Sequence, residues 1–124
     1  MVAANWQSLT KMGDTMPQTV TFENIATYTE RGTVVLDLWA PWCGPCKILS
    51  PMLADLEQEL DGLTVIKQNV DDDKRLAEQY HVQSIPTMII FQDGQAVEKV
   101  TGAFPKDKLR RYFERKIAER HDQQ

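Results

Sequence analysis

Residues 33–39 read Thr-Val-Val-Leu-Asp-Leu-Trp, an apolar run broken by one carboxylate. Such a run marks a strand covered on both faces. After Cys46 the spacing opens to that of a helix. Ile48, Leu49, Met52, Leu53, Leu56 and Leu60 recur every three or four positions until Asp61-Gly62 stops them. Pro51 falls inside that pattern, where its ring is expected to bend the helix. Residues 63–70 return to strand character. Strand, helix and strand at this spacing predict a parallel pair with a right-handed crossover.

The flanking segments are more weakly patterned. Thr21 caps a predicted short helix over 22–31 with Gly32 as its stop, and residues 18–21 read as a short edge strand. Asp71 to Asp73 cap a second short helix through Leu76, Ala77 and Tyr80. Residues 87–92 form another strand, Asp93-Gly94 a hairpin turn, and residues 95–101 the antiparallel return. Gly102 breaks that strand. Pro105 opens a last helix with Leu109, Tyr112, Phe113 and Ile117 along one face, and the charged end, 115–124, is expected to fray. Residues 1–17 hold no sustained period and read as an N-terminal extension. That leaves 18–120 as one domain and 121–124 as a loose end. The predicted fold class is α/β, a central mixed sheet with helices on both faces.

Composition narrows the function classes. A chain of 124 residues that is 42% hydrophobic fits one domain with one core. A formal net charge of -4 with no basic stripe gives nucleic acid no footprint. No window approaches the ~20 apolar residues of a membrane span, and the first residues carry no secretory pattern. The expected setting is therefore the cytoplasm.

The only two cysteines are Cys43 and Cys46, in Cys-Gly-Pro-Cys at the turn from strand to helix. Two thiols are too few for a disulfide scaffold. They are also too few for a four-ligand zinc site, and His81 and His121 lie too far apart to complete one. A bridge closing so short a loop removes little entropy from the unfolded chain, so a purely structural staple is weak. Reactive chemistry remains. At the first turn of a helix Cys43 meets unpaired N–H groups and the positive end of the dipole, which favour its thiolate. Cys46, one turn on, can donate to the Cys43 sulfur. Gly44 keeps bulk away, and Pro45 sets φ where the helix has no partner for an N–H. Cys43 would then attack a substrate disulfide and Cys46 would resolve the mixed disulfide.

Asp37 interrupts the apolar run six positions before Cys43. If the strand is central, burial raises its pKa and makes it a base for the Cys46 proton. An Asp on a solvated strand face is the alternative, which the alternation of Val35, Asp37 and Trp39 leaves open. Lys67 interrupts the next strand and either tempers Asp37 or snorkels at an edge. Trp42 presents its face to partners or packs in the core. Ile85-Pro86 precedes a strand, and by the general preference of X–Pro bonds it reads as trans. His81 is a loop histidine without assigned chemistry.

Asp37-Leu38-Trp39-Ala40-Pro41-Trp42-Cys43-Gly44-Pro45-Cys46-Lys47, then Pro51, Lys67, Ser84-Ile85-Pro86-Thr87 and Gly102, resembles the thioredoxin family in order and spacing over about residues 18–120. The resemblance implies the thioredoxin fold and a dithiol reductant of protein disulfides. It implies Cys43 as nucleophile, Cys46 as resolving thiol, and Asp37 as buried acid/base with Lys67 beside it. It makes Pro86 cis and facing the dithiol, with Trp42, Ile85, Pro86 and Gly102 at the substrate. It further implies a monomer that needs no bound cofactor beyond the Cys43–Cys46 pair. Electrons would come from NADPH through thioredoxin reductase, and disulfide-containing proteins would be the substrates. Oxidising and isomerising relatives carry a histidine between the cysteines, so Gly44-Pro45 argues for reduction. The family usually opens with a strand near its N-terminus, whereas some 17 residues precede any match here. That extension raises a second class of function, a subunit for assembly rather than redox chemistry.

Overall fold

The computed structural model describes residues 17–122, with side chains through Arg120. Most of the expected 1–17 extension, and Gln123 and Gln124, lie outside the described residues. The elements in order are β1 (Gln18–Thr19), α1 (Ile25–Thr29), β2 (Thr33–Trp39), α2 (Gly44–Glu59), β3 (Leu63–Asn69), α3 (Arg75–Gln79), β4 (Thr87–Gln92), β5 (Gln95–Thr101) and α4 (Lys106–Asp122). Five strands form one mixed sheet in the order β1-β3-β2-β4-β5. β2 runs parallel to β3 and antiparallel to β4, which is the expected βαβ unit plus hairpin. β1 is only two residues long, parallel to β3, and the Val20 N–H extends the pairing to the Lys67 carbonyl at 2.9 Å.

Period-two alternation along β2 divides the interior into two layers. Val35 points to one face, where it meets Leu49, Leu53 and Leu56 of α2, Val65, Ile90, and Leu109 and Phe113 of α4. Val34, Leu36 and Leu38 point to the other, with Ile66, Leu76, Ile89 and Phe91. β2 is thus covered on both sides, as its largely apolar run predicts. Asp37 shares the parity of Val35, so it faces α2 rather than water.

Three boundaries differ from the sequence reading. Thr21 does hold a turn, through reciprocal bonds between its backbone N–H and Asn24 Oδ1 (2.7 Å) and between the Asn24 N–H and Thr21 Oγ1 (3.1 Å). The helix itself, however, starts only at Ile25. In α3 the cap position is Lys74, while Asp73 accepts from the Arg75 N–H at 2.9 Å and Asp71 is engaged elsewhere. The third is the tail. Instead of fraying from residue 115, α4 continues to Asp122. Ile117 packs on the core, the Lys116 carbonyl accepts from Gln92 Nε2 (2.8 Å), Lys116 pairs with Glu98, and Arg120 Nε donates to Asp93 Oδ1 at 3.0 Å. Contacts with β4, β5 and their turn hold a segment that local composition alone would release.

Candidate active site

β2 ends at Trp39, and Ala40-Pro41-Trp42 turns the chain into α2. The Cys43 N–H closes that turn on the Ala40 carbonyl (3.1 Å). Cys43 is the N-cap, with extended backbone at φ -89° and ψ 108°, and its Sγ accepts from the Cys46 backbone N–H at 3.2 Å. The donor is therefore one of the unpaired amides of the first turn. No acidic side chain sits in that turn, so nothing there neutralises the positive end of the helix. Cys43 and Cys46 are joined as a disulfide with Cα atoms 5.3 Å apart. Both are buried, Cys43 at 4% exposure, in a small cluster with Ala40 against Trp39, Val70 and Ile85. A Cβ at Gly44 would meet nothing within 4 Å, which keeps the flank of the disulfide open. Pro45 lies in the first turn, where a missing N–H costs no hydrogen bond.

Asp37 is 1% exposed, which removes the solvated-face alternative. Desolvation, the largest influence, raises its pKa from the ordinary 3.8 to about 6; a hydrogen bond from Ser50 and the charge of Lys67 pull the other way. Ser50 Oγ donates to Oδ2 at 2.7 Å, and Oδ1 has no hydrogen-bond partner among the described residues. Lys67 is the register partner of Asp37 across β2 and β3. Its Nζ lies 5.5 Å from the centroid of the Trp39 ring. Lys67 is thus paired on both sides, with Thr19 of β1 and Asp37 of β2, and does not extend from a free edge. A cavity of about 370 Å³ reaches Asp37, lined also by Pro17, Ser50, Pro51, Ala54, Asp55 and Lys67.

Trp42 is 70% exposed, so it is not core, and its Nε1 donates to Asp71 Oδ2 at 3.0 Å. It stands at one end of a cleft of about 360 Å³ that passes Val70, Val82 and Ser84 to Ile85. The Ile85–Pro86 bond is cis, which corrects the trans reading from the general preference and agrees with the resemblance. Thr87 Oγ1 donates to the Ser84 carbonyl at 2.6 Å, and the Gly102 N–H donates to the Pro86 carbonyl at 2.9 Å. Gly102 has φ +115°, outside the range open to other residues, so its glycine is a backbone requirement. His81 sits at a turn with φ 55°.

The structure brings Asp37, Lys67, Cys43 and Cys46 to one end of the sheet, and Trp42 and Ile85 to one cleft. Two contributors went unread in the sequence. Ser50 follows Cys46 by four positions, and that spacing on one helix face was its signal. Asp71, read only as a cap, anchors the Trp42 ring; nothing local marked it. Among the described residues no group of three or more His, Cys, Asp or Glu side chains could hold a metal ion, and no helix is long and apolar enough to cross a membrane.

Comparison with known proteins agrees with this geometry. The Thioredoxin family model matches residues 14–115. Thioredoxin of Chlamydia trachomatis serovar D is 48% identical over 94 residues, covering 76% of this chain and 92% of the relative. Thioredoxin of Bacillus subtilis strain 168 is 43% identical over 90 residues, covering 72% and 86%. Among solved structures, a mutant thioredoxin from Halobacterium salinarum NRC-1 superposes with a TM-score of 0.76 at 32% identity, over 83% of this chain and 92% of that one. With a mixed five-stranded sheet, a dithiol pair at the head of α2 and relatives at this identity, the chain belongs to the thioredoxin family, the protein-disulfide reductases that act through a redox-active disulfide.

Proposed function

We propose a division of labour among the site residues for this reductase chemistry. In the reduced protein the Cys43 thiolate attacks one sulfur of a substrate disulfide, expelling the other as a thiolate and leaving a Cys43–substrate mixed disulfide. Asp37 takes the proton from Cys46. The Cys46 thiolate then attacks the Cys43 sulfur, re-forming Cys43–Cys46 and releasing the second substrate thiolate. Two electrons pass to the substrate and both of its sulfurs leave reduced. Lys67 tempers Asp37. Gly44 and Pro45 shape the dithiol, and Trp42, Ile85, Pro86 and Gly102 border the bound segment, its extended backbone pairing with that of Ile85.

The observation that carries this reading is the Cys43 sulfur at a helix N-terminus, accepting from the Cys46 N–H at 3.2 Å, with no carboxylate in that turn. That environment favours the thiolate of one cysteine and not the other. Regeneration by thioredoxin reductase, with NADPH as the distant electron source, belongs to the same reading. So do a monomeric state, a cytoplasmic setting, and residues 18–120 as the working domain.

Reduction of insulin disulfides with dithiothreitol as electron source tests it. The protein should be active, Cys43→Ser inert, and Cys46→Ser should accumulate mixed disulfides seen as mass adducts on Cys43. Full activity of the Cys43→Ser protein would sink the assignment of the nucleophile.

A further inference from the structure

Ser50 is the residue of this site whose contact is most specific and whose role is unassigned. It sits four positions after Cys46 on α2, hence on the same helix face. Its hydroxyl makes a 2.7 Å bond to one oxygen of Asp37. The other oxygen, Oδ1, is buried without a hydrogen-bond partner among the described residues. Both side chains line the cavity of about 370 Å³ that Lys67 and Asp55 also border.

We propose that Ser50 is the positioning residue of the resolution step: by donating to Oδ2 it orients the Asp37 carboxylate, leaves Oδ1 as the proton-accepting oxygen, and holds the acid at the wall of a cavity through which its proton returns to water. This rests on Asp37 being the base, as proposed above. The Cys46 S–H bond breaks, its proton goes to Oδ1, and the sulfur keeps the electron pair with which it attacks Cys43. After the substrate leaves, Asp37 releases the proton through the cavity, and Ser50 donates to Oδ2 in both states.

A hydroxyl donor favours the charged form of its acceptor, so Ser50 also determines how far burial lifts Asp37. The other groups around the carboxyl divide by sign. Lys67 on β3 acts with Ser50, while the negative Asp55 on α2 borders the cavity and is paired with Lys106 at 3.7 Å. β4 contributes the uncharged Met88 opposite Asp37, Pro17 before β1 carries no side-chain charge, and the disulfide-bonded Cys43 and Cys46 carry none.

Two readouts test the inference. The Asp37 carboxyl carbon is followed by NMR through a pH titration of the oxidised protein. Release of thionitrobenzoate from its preformed mixed disulfide with Cys43 reports the resolution rate against pH. In Ser50→Ala the carboxyl inflection should rise by on the order of one pH unit. The resolution profile should rise with it and the rate at neutral pH should change several-fold. Ser50→Thr should restore both. An unmoved carboxyl inflection in Ser50→Ala overturns the inference whatever Asp37 does. A moved inflection with an unchanged resolution profile overturns the link from Ser50 to the chemistry. An Asp37→Asn protein resolving at the parent rate would instead remove the base itself, a failure visible without any Ser50 variant.

Discussion

Asp37 and Lys67 face each other as register partners on adjacent parallel strands, yet the carboxyl sits near pKa 6 because burial outweighs the cation beside it. That imbalance ties stability to pH. The folded chain binds the Asp37 proton more tightly than the unfolded chain does, so stability falls as pH rises between about 4 and 6. Above that window the full penalty is present, on the order of 3 kcal/mol for a shift of about two units. Below it the penalty vanishes. Asp37→Asn should therefore stabilise the oxidised protein by about 2–3 kcal/mol at pH 7 and by almost nothing at pH 3.5. Urea unfolding at the two values measures it; equal gains at both would show that the carboxyl is not desolvated.

Lys67→Met should raise the Asp37 inflection further, since an attractive charge is lost. Lys67 is a smaller influence on Asp37 than the Ser50 hydrogen bond. The rise should therefore be smaller than in Ser50→Ala, and the same carboxyl titration ranks the two. A larger rise in the lysine variant would reverse the order of these influences.

At Gly102 the backbone, not space, is limiting. An added Cβ would approach Phe104 only to 3.7 Å, an ordinary contact, but φ is +115°. Gly102→Ala should cost about 1–3 kcal/mol of stability. It should also loosen the bond to the Pro86 carbonyl and raise KM for a protein disulfide more than it lowers kcat. Thermal unfolding with wild-type stability would contradict this.

Pro45 stands between the cysteines in the first turn of α2, where no acidic side chain offsets the field of the helix. Pro45→His introduces a second donor and partial positive charge beside the Cys43 sulfur, which stabilises the reduced form. The potential should become more oxidising by on the order of 30 mV or more, read by equilibration with glutathione. An unchanged potential would mean that the residues between the sulfurs do not set the direction of the chemistry.

Local signals made much of this legible. The run over β2, the three-and-four spacing of α2 and the Asp93-Gly94 turn placed their elements correctly, because burial of a whole strand or helix face leaves a periodic trace. The dithiol was equally plain, since two cysteines and no other ligands leave few chemistries. The short helices were less legible. α1 and α3 are five residues each, and the turns leading into them are held by side-chain bonds, Thr21 with Asn24 and Asp73 with the Arg75 N–H, that compete with helix. The end of α4 was misread because its charged residues find partners, Glu98 and Asp93, that lie far away in sequence.

Sequence alone determined the strand–helix unit, the position of Cys43 at the head of α2, and the family to which the motif belongs. Tertiary structure decided everything that depends on one element meeting another. Asp37 is buried because α2 covers that face of β2, not because of its neighbours in the chain. Lys67 stands beside it because the β2–β3 register puts it there. Ser50 reaches the carboxyl because a helix turn carries it back over the strand. The Ile85–Pro86 bond is cis against the local preference, and the adjoining Pro86 carbonyl accepts from the N–H of Gly102, sixteen residues later, a contact no local pattern contains. Burial, register and partnership are properties of packed surfaces, and a pattern along one chain records only the half of each that belongs to its own element.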